Sequence, residues 1–351
     1  MKGRQVVLGF LFGQEAAALM QDGQLIDLLV TPDVLTPLAP GAICRAQTDR
    51  FMKGQGGVFL RLPNGQMGYL RDRKGVSEGK PMLVQVAGVA EEGKALPVST
   101  RLLFRGRHAL VTPGAPGVNV SRQIRNEERR EELEALGRKL LGTGSHGLIL
   151  RSAAAEAEDD DIAAELAELL ELADRICAET EGGPELLLDA ASPWEQAWMD
   201  WAEPAPDAVE EGSDSFERCG VLEAVDGLLS PLMTLSGGAD AHIEQTRALV
   251  AIDVNTGNDT SPAAGLKVNI ALARDLPRQL MLRGMGGQIV IDFAPMPKRD
   301  RATLDQVLQA AFRHAASEVT LVGWTAMGLY ELNRKRDRVP LARLSAASGG
   351  A

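Results

Sequence analysis

Two apolar runs, each ending in an aspartate, constrain the fold of this chain more than any other feature. Residues 248–252 precede Asp253 and residues 288–291 precede Asp292, with a helical pattern between the runs. Strand–helix–strand units with parallel strands are right-handed, so both strands should end at the same edge of one sheet. The runs read as central strands of an α/β sheet, apolar on both faces. The two aspartates should therefore meet at an edge where α/β proteins commonly build sites.

The chemistry of the two aspartates suits a shared divalent cation. Aspartate is disfavoured in apolar strands and is rarely buried without a partner. Mg²⁺ takes oxygen ligands and often uses one or two protein carboxylates while keeping several waters. Asn255 lies two residues after Asp253 and can point to the same side of the strand, where it could orient a water or a phosphate. The alternative is a simple turn after a strand, in which Asp, Asn and Gly are common.

The size of the chain fits two or three domains, and its charge argues against a general nucleic-acid binder. It has 351 residues, 45% of them hydrophobic, with a net charge of −11 and a pI near 5.0. Phosphate contacts come from Lys and Arg, so RNA binding requires local basic clusters. Such clusters stand at residues 298–301 and 334–338. They predict a phosphate-attracting face; the alternative is a set of solvated helix ends.

Cysteine usage predicts a reducing compartment and no zinc. The chain has three cysteines, Cys44, Cys177 and Cys219, and none forms a C-x-x-C pair. This pattern disfavours both a zinc site and a disulfide framework, and it fits the cytoplasm. The apolar run at 6–12 is too short for a membrane span, so we expect no membrane segment.

The N-terminal third of the chain reads as β-structure. Residues 1–34 alternate short apolar runs around Asp22 and Gly23, which predicts a hairpin. Residues 39–104 contain short strand-like runs separated by Gly, Pro and Asn. That spacing is typical of a small all-β barrel.

The middle of the chain reads as helix, strand and helix, followed by an irregular segment. Helical spacing predicts helices over 126–141 and 156–179, with a buried strand at 146–152 between them. Residues 189–217 mix Pro, Trp and many acids. This composition predicts a surface connection or a poorly ordered element.

Five segments stand in a characteristic order and spacing along the chain. They are VSRQI at 120–124, HGLILRSAA at 146–154, ALVAIDVNTG at 248–257, RQLMLRGMGGQIVIDFAPM at 278–296 and GLYELNRKR at 328–336. Together they resemble the catalytic part of the ribonuclease E/G family. No single segment is specific, but their order and spacing together are, and the resemblance covers most of the chain. The chain resembles a short form of this family that lacks the C-terminal zinc-link.

The resemblance implies an α/β multidomain fold. Residues 1–34 and 185–218 correspond to two parts of an RNase H-like subdomain, of which the second is reduced and partly a linker. Residues 35–104 correspond to an inserted OB-fold β-barrel that binds RNA, and residues 105–184 to a 5′-sensor α/β region. Residues 219–345 correspond to a DNase I-like α/β catalytic domain.

The resemblance also implies an endoribonuclease that hydrolyses phosphodiester bonds of single-stranded RNA in RNA processing or decay. Its catalytic residues would be Asp253, Asn255 and Asp292, and the two aspartates would bind Mg²⁺, for which Mn²⁺ can substitute. The metal lowers the pKa of a bound water and neutralises charge that develops on the phosphate. A 5′-monophosphate end would stimulate cleavage.

Two groups of residues correspond to RNA-contacting positions of the family. RNA-strand binding is implied for Phe59, Tyr69, Lys94 and Arg122. Sensing of the 5′-phosphate is implied for Leu110 (through its backbone amide), Arg151 and Ser152. Aromatic rings beside a cation form a platform for unpaired bases, and a guanidinium with a hydroxyl suits a terminal phosphate. The alternatives are ordinary barrel core for Phe59 and Tyr69, and for Arg151 a structural pair with an acid on the neighbouring helix.

The chain departs from the family at positions that bear on activity and assembly. Arg247 and Ala271 stand where the family has glutamates, and the C-x-x-C zinc-link is missing. We therefore expect no zinc. A homodimer whose subunits associate without zinc remains an alternative. A second interpretation is an RNA-binding protein with weak or no catalysis. A third is a phosphoesterase acting on DNA or small molecules, which the barrel opposes.

Overall fold

The structure, a computed structural model, divides into two compact units, which are described separately. One comprises residues 1–35 and 207–351, and the other comprises residues 36–206. The residues that the structure describes are 3–49, 51, 56–72, 74–91, 93–142, 144–313, 315 and 317–349. Over these residues, no helix combines the length and the apolar character that crossing a membrane requires.

Helices and strands alternate irregularly along the chain. The α-helices of the described residues are α1 (Glu127–Leu141), α2 (Asp159–Ala178), α3 (Pro193–Trp201), α4 (Ser215–Arg218), α5 (Val221–Leu229), α6 (Ala264–Leu282), α7 (Arg301–Phe312) and α8 (Leu341–Ala347). The strands are β1 (Arg4–Leu11), β2 (Gln14–Gln21), β3 (Gln24–Val30), β4 (Ile43–Thr48), β5 (Val58–Arg61), β6 (Met67–Leu70), β7 (Pro81–Val86), β8 (Leu96–Ser99), β9 (Phe104–Arg105), β10 (Ala109–Thr112), β11 (Gly117–Val120), β12 (Gly147–Leu150), β13 (Glu185–Leu188), β14 (Ala208–Glu211), β15 (Leu232–Thr234), β16 (Asp240–Gln245), β17 (Val250–Asn255), β18 (Gly287–Asp292), β19 (Val319–Trp324) and β20 (Tyr330–Arg334). Short 3₁₀ turns stand at Pro63–Gly65, Ser152–Ala155, Ser236–Gly238 and Lys298–Asp300.

The unit formed by residues 1–35 and 207–351 begins with a β-meander. β1, β2 and β3 are consecutive antiparallel neighbours. The turn between β2 and β3 contains Asp22 and Gly23, both at positive φ, which confirms the predicted hairpin. β14 pairs in parallel with the other side of β1. Phe216 and the inner face of α5 are buried in the same core as this sheet.

A second sheet of this unit contains the two apolar runs as adjacent strands. Its order is β15-β16-β17-β18-β20-β19. β17 and β18 are parallel and α6 connects them, which confirms the predicted strand–helix–strand unit. The assignment of this sheet as DNase I-like, and of the first sheet as RNase H-like, stays a prediction.

The expectation that β17 and β18 are apolar on both faces is wrong. α6 and α7 contribute to the core on one face, where Ile252 and Ile291 are buried. On the other face Asp253, Asn255 and Asp292 are exposed. Side chains alternate across a strand, so a sheet with one open face buries every second residue. The open face is the polar surface on which the candidate site lies.

Residues 36–206 contain a closed five-stranded barrel. Its strands follow the order β4-β5-β6-β8-β7, and β7 pairs back with β4. This arrangement confirms an OB-like barrel in the predicted region. Its interior is filled by buried aliphatic side chains, among them Val58, Leu60, Leu70 and Val84. β13 pairs with β4 outside this closed order.

The sheet β11-β12-β10-β9 packs with α1 and α2 in the same unit. Both helices confirm the sequence prediction. α1 begins after Asn126, whose side chain accepts a hydrogen bond from the Arg129 amide, and it ends at Gly142 with φ +61°. α2 opens with three aspartates, which suit the positive N-terminus of a helix. β12 confirms the buried strand predicted at 146–152.

Residues 189–217, for which the composition predicted a surface connection or a poorly ordered element, contain regular secondary structure. The segment forms α3 and β14 and enters α4. Ser192 and Glu195 form a capping box, each side chain bonding the backbone amide of the other. Pro193 opens the helix, where its missing N–H costs nothing. Trp201 is buried at the end of α3. These local signals explain why an acid-rich segment is helical.

Candidate active site and RNA-binding residues

The register of the parallel strands brings the two aspartates together. Asp253 on β17 and Asp292 on β18 are directly paired near the carboxyl ends of their strands. Adjacent strands lie about 4.8 Å apart, and paired residues point to the same face. Both side chains are exposed on the polar face of the sheet. The pair thus has the geometry expected of two carboxylates sharing one ion, while metal binding itself stays a prediction.

Asn255 is hydrogen-bonded to the first aspartate and to one further carboxylate. Its Nδ2 donates to Asp253 Oδ2 at 3.2 Å and to Asp240 Oδ1 at 3.2 Å. One amide nitrogen therefore orients two carboxylates. The carbonyl oxygen of the same amide remains as an acceptor for a water or another donor.

The sequence patterns did not reveal two polar residues of this face. β16 is antiparallel to β17 and places Asp240 opposite Asn255 and His242 opposite Asp253. His242 Nε2 lies 3.7 Å from Asp240 Oδ1. The available signal was the alternation of polar and apolar residues along β16, which has the period of a strand with one open face.

The side chains of the polar face fit a cation that keeps most of its water. Over the described residues, no three His, Cys, Asp or Glu side chains converge closely enough to hold a metal ion. Asp253 and Asp292 supply two carboxylates, and their exposure gives water access to the remaining coordination positions. Mg²⁺ is commonly held in this way, by one or two carboxylates together with several waters.

A buried asparagine on α6 fixes the chain segment that follows Asp292. Asn269 is fully buried; its Nδ2 donates to Ala294 O at 2.9 Å and its Oδ1 accepts from Ala294 N at 3.0 Å. A Cβ placed on Gly265 would lie 2.1 Å from Pro295 O, so the helix and this segment are in backbone contact. The two contacts set the direction in which the chain leaves β18 and help to position Asp292.

Replacing Asn269 by alanine should destabilise the protein by about 2–4 kcal/mol, because both backbone groups of the buried Ala294 lose their partners. Urea unfolding followed by circular dichroism measures this loss. Asn333→Ala, at an exposed position of β20, is the control and should change stability by less than about 0.5 kcal/mol. Equal stability of the two variants would contradict the role assigned to Asn269.

The two basic clusters predicted near the C-terminus occupy different environments. Lys298 and Arg299 are exposed in the turn before α7. Arg334 is buried; it donates to Met285 O at 2.8 Å and lies 3.4 Å from Asp337. Burial lowers the pKa of Arg334 below the ordinary arginine value. The expectation that the whole cluster at 334–338 faces phosphate is therefore wrong for Arg334, which supports the fold.

Phe59 and Tyr69 form a pair outside the barrel core. They are directly opposite each other on β5 and β6, with ring centroids 5.3 Å apart and planes at 55°. Both rings are half-buried, whereas their strand neighbours Val58 and Leu70 belong to the barrel core. The structure thus disfavours the alternative that these rings are core residues. An accessible aromatic pair is the arrangement on which unpaired bases can stack.

The two cations predicted to contact the RNA strand are both exposed. Lys94 pairs with Glu91 at 2.5 Å, and its side chain is 66% exposed. Arg122 stands in the turn between β11 and α1. Exposed ion pairs contribute little, so the contact with Glu91 leaves Lys94 available to a phosphate.

Arg151, the central residue of the predicted 5′-phosphate pocket, is bound by the protein's own groups. Its Nη1 donates to Gly106 O at 2.7 Å and to Met199 O at 3.0 Å, and its Nη2 donates to Asp200 at 2.5 Å. Asp200 lies on α3, so the contact seen is a pair with an acid on a neighbouring helix. Ser152 follows, exposed, at the start of a 3₁₀ turn.

Leu110, the third residue of that pocket, lies on β10 between β9 and β12. The amide of Arg151 donates to His108 O at 2.8 Å. Because hydrogen-bonded pairs alternate in an antiparallel ladder, the Leu110 amide is directed at Ile149 of β12. The Leu110 amide therefore donates its hydrogen bond within the sheet. The end-sensing role of the three residues stays a prediction.

The chain is similar to ribonucleases E and G over most of its length. The model of the Ribonuclease E/G family matches residues 104–210 and 204–337. Ribonuclease E of Synechocystis sp. is 27% identical over 326 residues, which cover 80% of this chain and 47% of the relative. Ribonuclease G of Salmonella typhimurium is 26% identical over 303 residues, which cover 75% of this chain and 61% of the relative. The chloroplastic ribonuclease E/G-like protein of Arabidopsis thaliana is 37% identical over 137 residues, which cover 37% of this chain and 14% of the relative. The chain spans about half the length of the curated relatives it matches.

Proposed function

Because the chain belongs to the ribonuclease E/G family, we propose that it is a Mg²⁺-dependent endoribonuclease. It hydrolyses phosphodiester bonds of single-stranded RNA in RNA processing or decay. The observation that carries this proposal is the in-register pair of Asp253 and Asp292, with Asn255 bonded to the first of them. A cytoplasmic location and the oligomeric state stay predictions.

Asp253, Asn255 and Asp292 have distinct roles in the proposed reaction. Asp253 and Asp292 would hold the cation through their carboxylate oxygens on the open face of the sheet. When bound, Mg²⁺ lowers the pKa of water and neutralises the charge that develops on the scissile phosphate. The amide nitrogen of Asn255 keeps the Asp253 carboxylate in one orientation. Its carbonyl oxygen accepts a hydrogen bond from the attacking water and thereby directs that water at the phosphorus.

A second group of residues holds the RNA. The residues proposed to bind the strand are Phe59, Tyr69, Lys94 and Arg122. The rings stack on unpaired bases, and the cations contact phosphates. A 5′-monophosphate end stimulates cleavage by binding to Arg151 and Ser152. The family resemblance supports this end-sensing role, and the Asp200 carboxylate on Arg151 limits its strength.

A cleavage panel tests the proposed function. The purified protein is incubated with a 5′-monophosphorylated single-stranded RNA, with DNA of the same sequence and with the RNA duplex, each in Mg²⁺ and in EDTA. We expect cutting of the single-stranded RNA alone, and only in Mg²⁺. Cutting of DNA at a similar rate, or undiminished cutting in EDTA, would contradict the proposal.

Two substitutions favour a second function, RNA binding with little or no catalysis. Arg247 is exposed in the turn between β16 and β17, and Ala271 is half-buried on α6. Both stand where the resemblance implies glutamates. Each replacement removes one carboxylate that the resemblance implies, so the chain lacks two acidic groups of the family's catalytic part. Tight binding of the single-stranded RNA without any cutting in the panel would select this second function.

A further inference from the structure

The carboxylate of Asp200 bridges two arginines at the predicted 5′-phosphate pocket. Asp200 lies in the last turn of α3, and its Oδ1 accepts from Arg151 Nη2 at 2.5 Å and from Arg105 Nη2. Arg105 ends β9, and Arg151 directly follows β12. Two strands of one sheet therefore direct their arginines at a single acidic side chain. All of these residues belong to the unit formed by residues 36–206.

The other terminal nitrogen of Arg151 is held by the backbone. Nη1 donates to Gly106 O and Met199 O, and these bonds fix the plane of the guanidinium. Nη2 is then the terminal nitrogen available for an anion. The side chains of Arg151 and Asp200 are only 19% and 23% exposed, so water screens this pair less than a surface pair. An RNA end that binds Nη2 meets the Asp200 carboxylate on the same nitrogen, so the two anions compete for it.

We propose that Asp200 is a specificity-determining residue that competes with the 5′-terminal phosphate of RNA for Arg151 and Arg105. Carboxylates and phosphate monoesters both present oxygens that guanidinium groups bind. The phosphate carries more charge, about −1.5 to −2, but the carboxylate is tethered at the site and pays no cost of association. The protein therefore distinguishes 5′-monophosphorylated from 5′-hydroxylated RNA only weakly. This inference rests on the proposed RNA substrate, but it concerns binding and does not require cleavage.

A neighbouring acid provides a matched control. Glu203 pairs with Arg107 at 2.5 Å, and the two side chains are 39% and 40% exposed. Its charge equals that of Asp200, and it lies three positions further along the chain. Glu203→Gln changes the net charge of this region as Asp200→Asn does. It leaves the carboxylate between Arg151 and Arg105 in place.

The test measures the Kd of two RNAs of one sequence, one with a 5′-monophosphate and one with a 5′-hydroxyl, by fluorescence anisotropy in EDTA. Wild-type protein should prefer the phosphorylated RNA by less than about threefold. Asp200→Asn should raise this preference to about tenfold or more, the size of one charge-assisted hydrogen bond. Glu203→Gln should keep the wild-type ratio. Combining Asp200→Asn with Arg151→Ala should remove the gain.

Two results would overturn the inference. One is an unchanged ratio in folded Asp200→Asn; if both RNAs then bind more tightly by the same factor, the substitution has only a general charge effect. The other is a wild-type preference above about tenfold. That last measurement needs no variant and decides the matter if thermal unfolding shows that Asp200→Asn does not fold. If wild-type protein binds neither RNA, the proposed function falls together with the inference.

Discussion

Asparagine in place of Asp253 or Asp292 should reduce RNA cleavage by about a thousandfold or more, because each change removes a carboxylate from the proposed cation site. Both side chains are exposed on the open face of the sheet, so the fold and the affinity for RNA should persist. The measurements are the initial rate on single-stranded RNA in saturating Mg²⁺, the circular dichroism spectrum and the Kd for the same RNA.

The control for this loss is an aspartate of the same unit that lies outside the polar face. Asp226 is exposed on α5, and Asp226→Asn should cut RNA at the wild-type rate. Cleavage by either site variant within about tenfold of wild type would show that Asp253 and Asp292 do not form the catalytic centre. Loss of RNA binding together with cleavage would instead assign these two carboxylates a structural role.

Alanine in place of Phe59 or Tyr69 should weaken single-stranded RNA binding by about 5- to 100-fold each, because a stacked base contributes about 1–3 kcal/mol. The two rings contact each other, so the double variant should lose less than the two single losses combined. Neither ring belongs to the barrel core, and thermal unfolding should change little. Fluorescence anisotropy in EDTA measures the affinities without cleavage.

An exposed aromatic residue elsewhere serves as the control for the stacking pair. Phe10 on β1 is 49% exposed and lies outside the barrel. Phe10→Ala should bind RNA with wild-type affinity. Unchanged affinity in Phe59→Ala and Tyr69→Ala would exclude the barrel pair as an RNA platform. A large drop in thermal stability of either variant would instead place the rings among the structural residues.

The pairing of the two aspartates could be predicted because its causes lie close together in sequence. A strand, a helix and a second strand in succession favour parallel neighbours, and the register then places Asp253 beside Asp292. The polarity of the sheet faces was harder to predict. Ala251 occupies the open face two residues before Asp253, and a small apolar residue gives no sign of which side it faces. The runs therefore looked buried on both sides.

Asp240 and Asp200 could not be assigned from sequence because their partners are set by tertiary packing. Asp240 meets Asn255 only through the antiparallel register of β16 with β17. Asp200 meets Arg151 only because α3 forms and brings this aspartate to the arginine that follows strand β12. The sequence did allow an acid on a neighbouring helix as a partner for Arg151. It did not indicate α3, because the acidic composition outweighed the Ser192–Glu195 capping signal.

A titration with Mn²⁺, followed by electron paramagnetic resonance of the free ion, tests most directly whether Asp253 and Asp292 share one cation. Mn²⁺ suits the same oxygen ligands as Mg²⁺. We expect a single Mn²⁺ site per chain that excess Mg²⁺ displaces, and we expect Asp253→Asn and Asp292→Asn each to lose it. Retention of that Mn²⁺ site by both variants would contradict a cation shared between these two side chains.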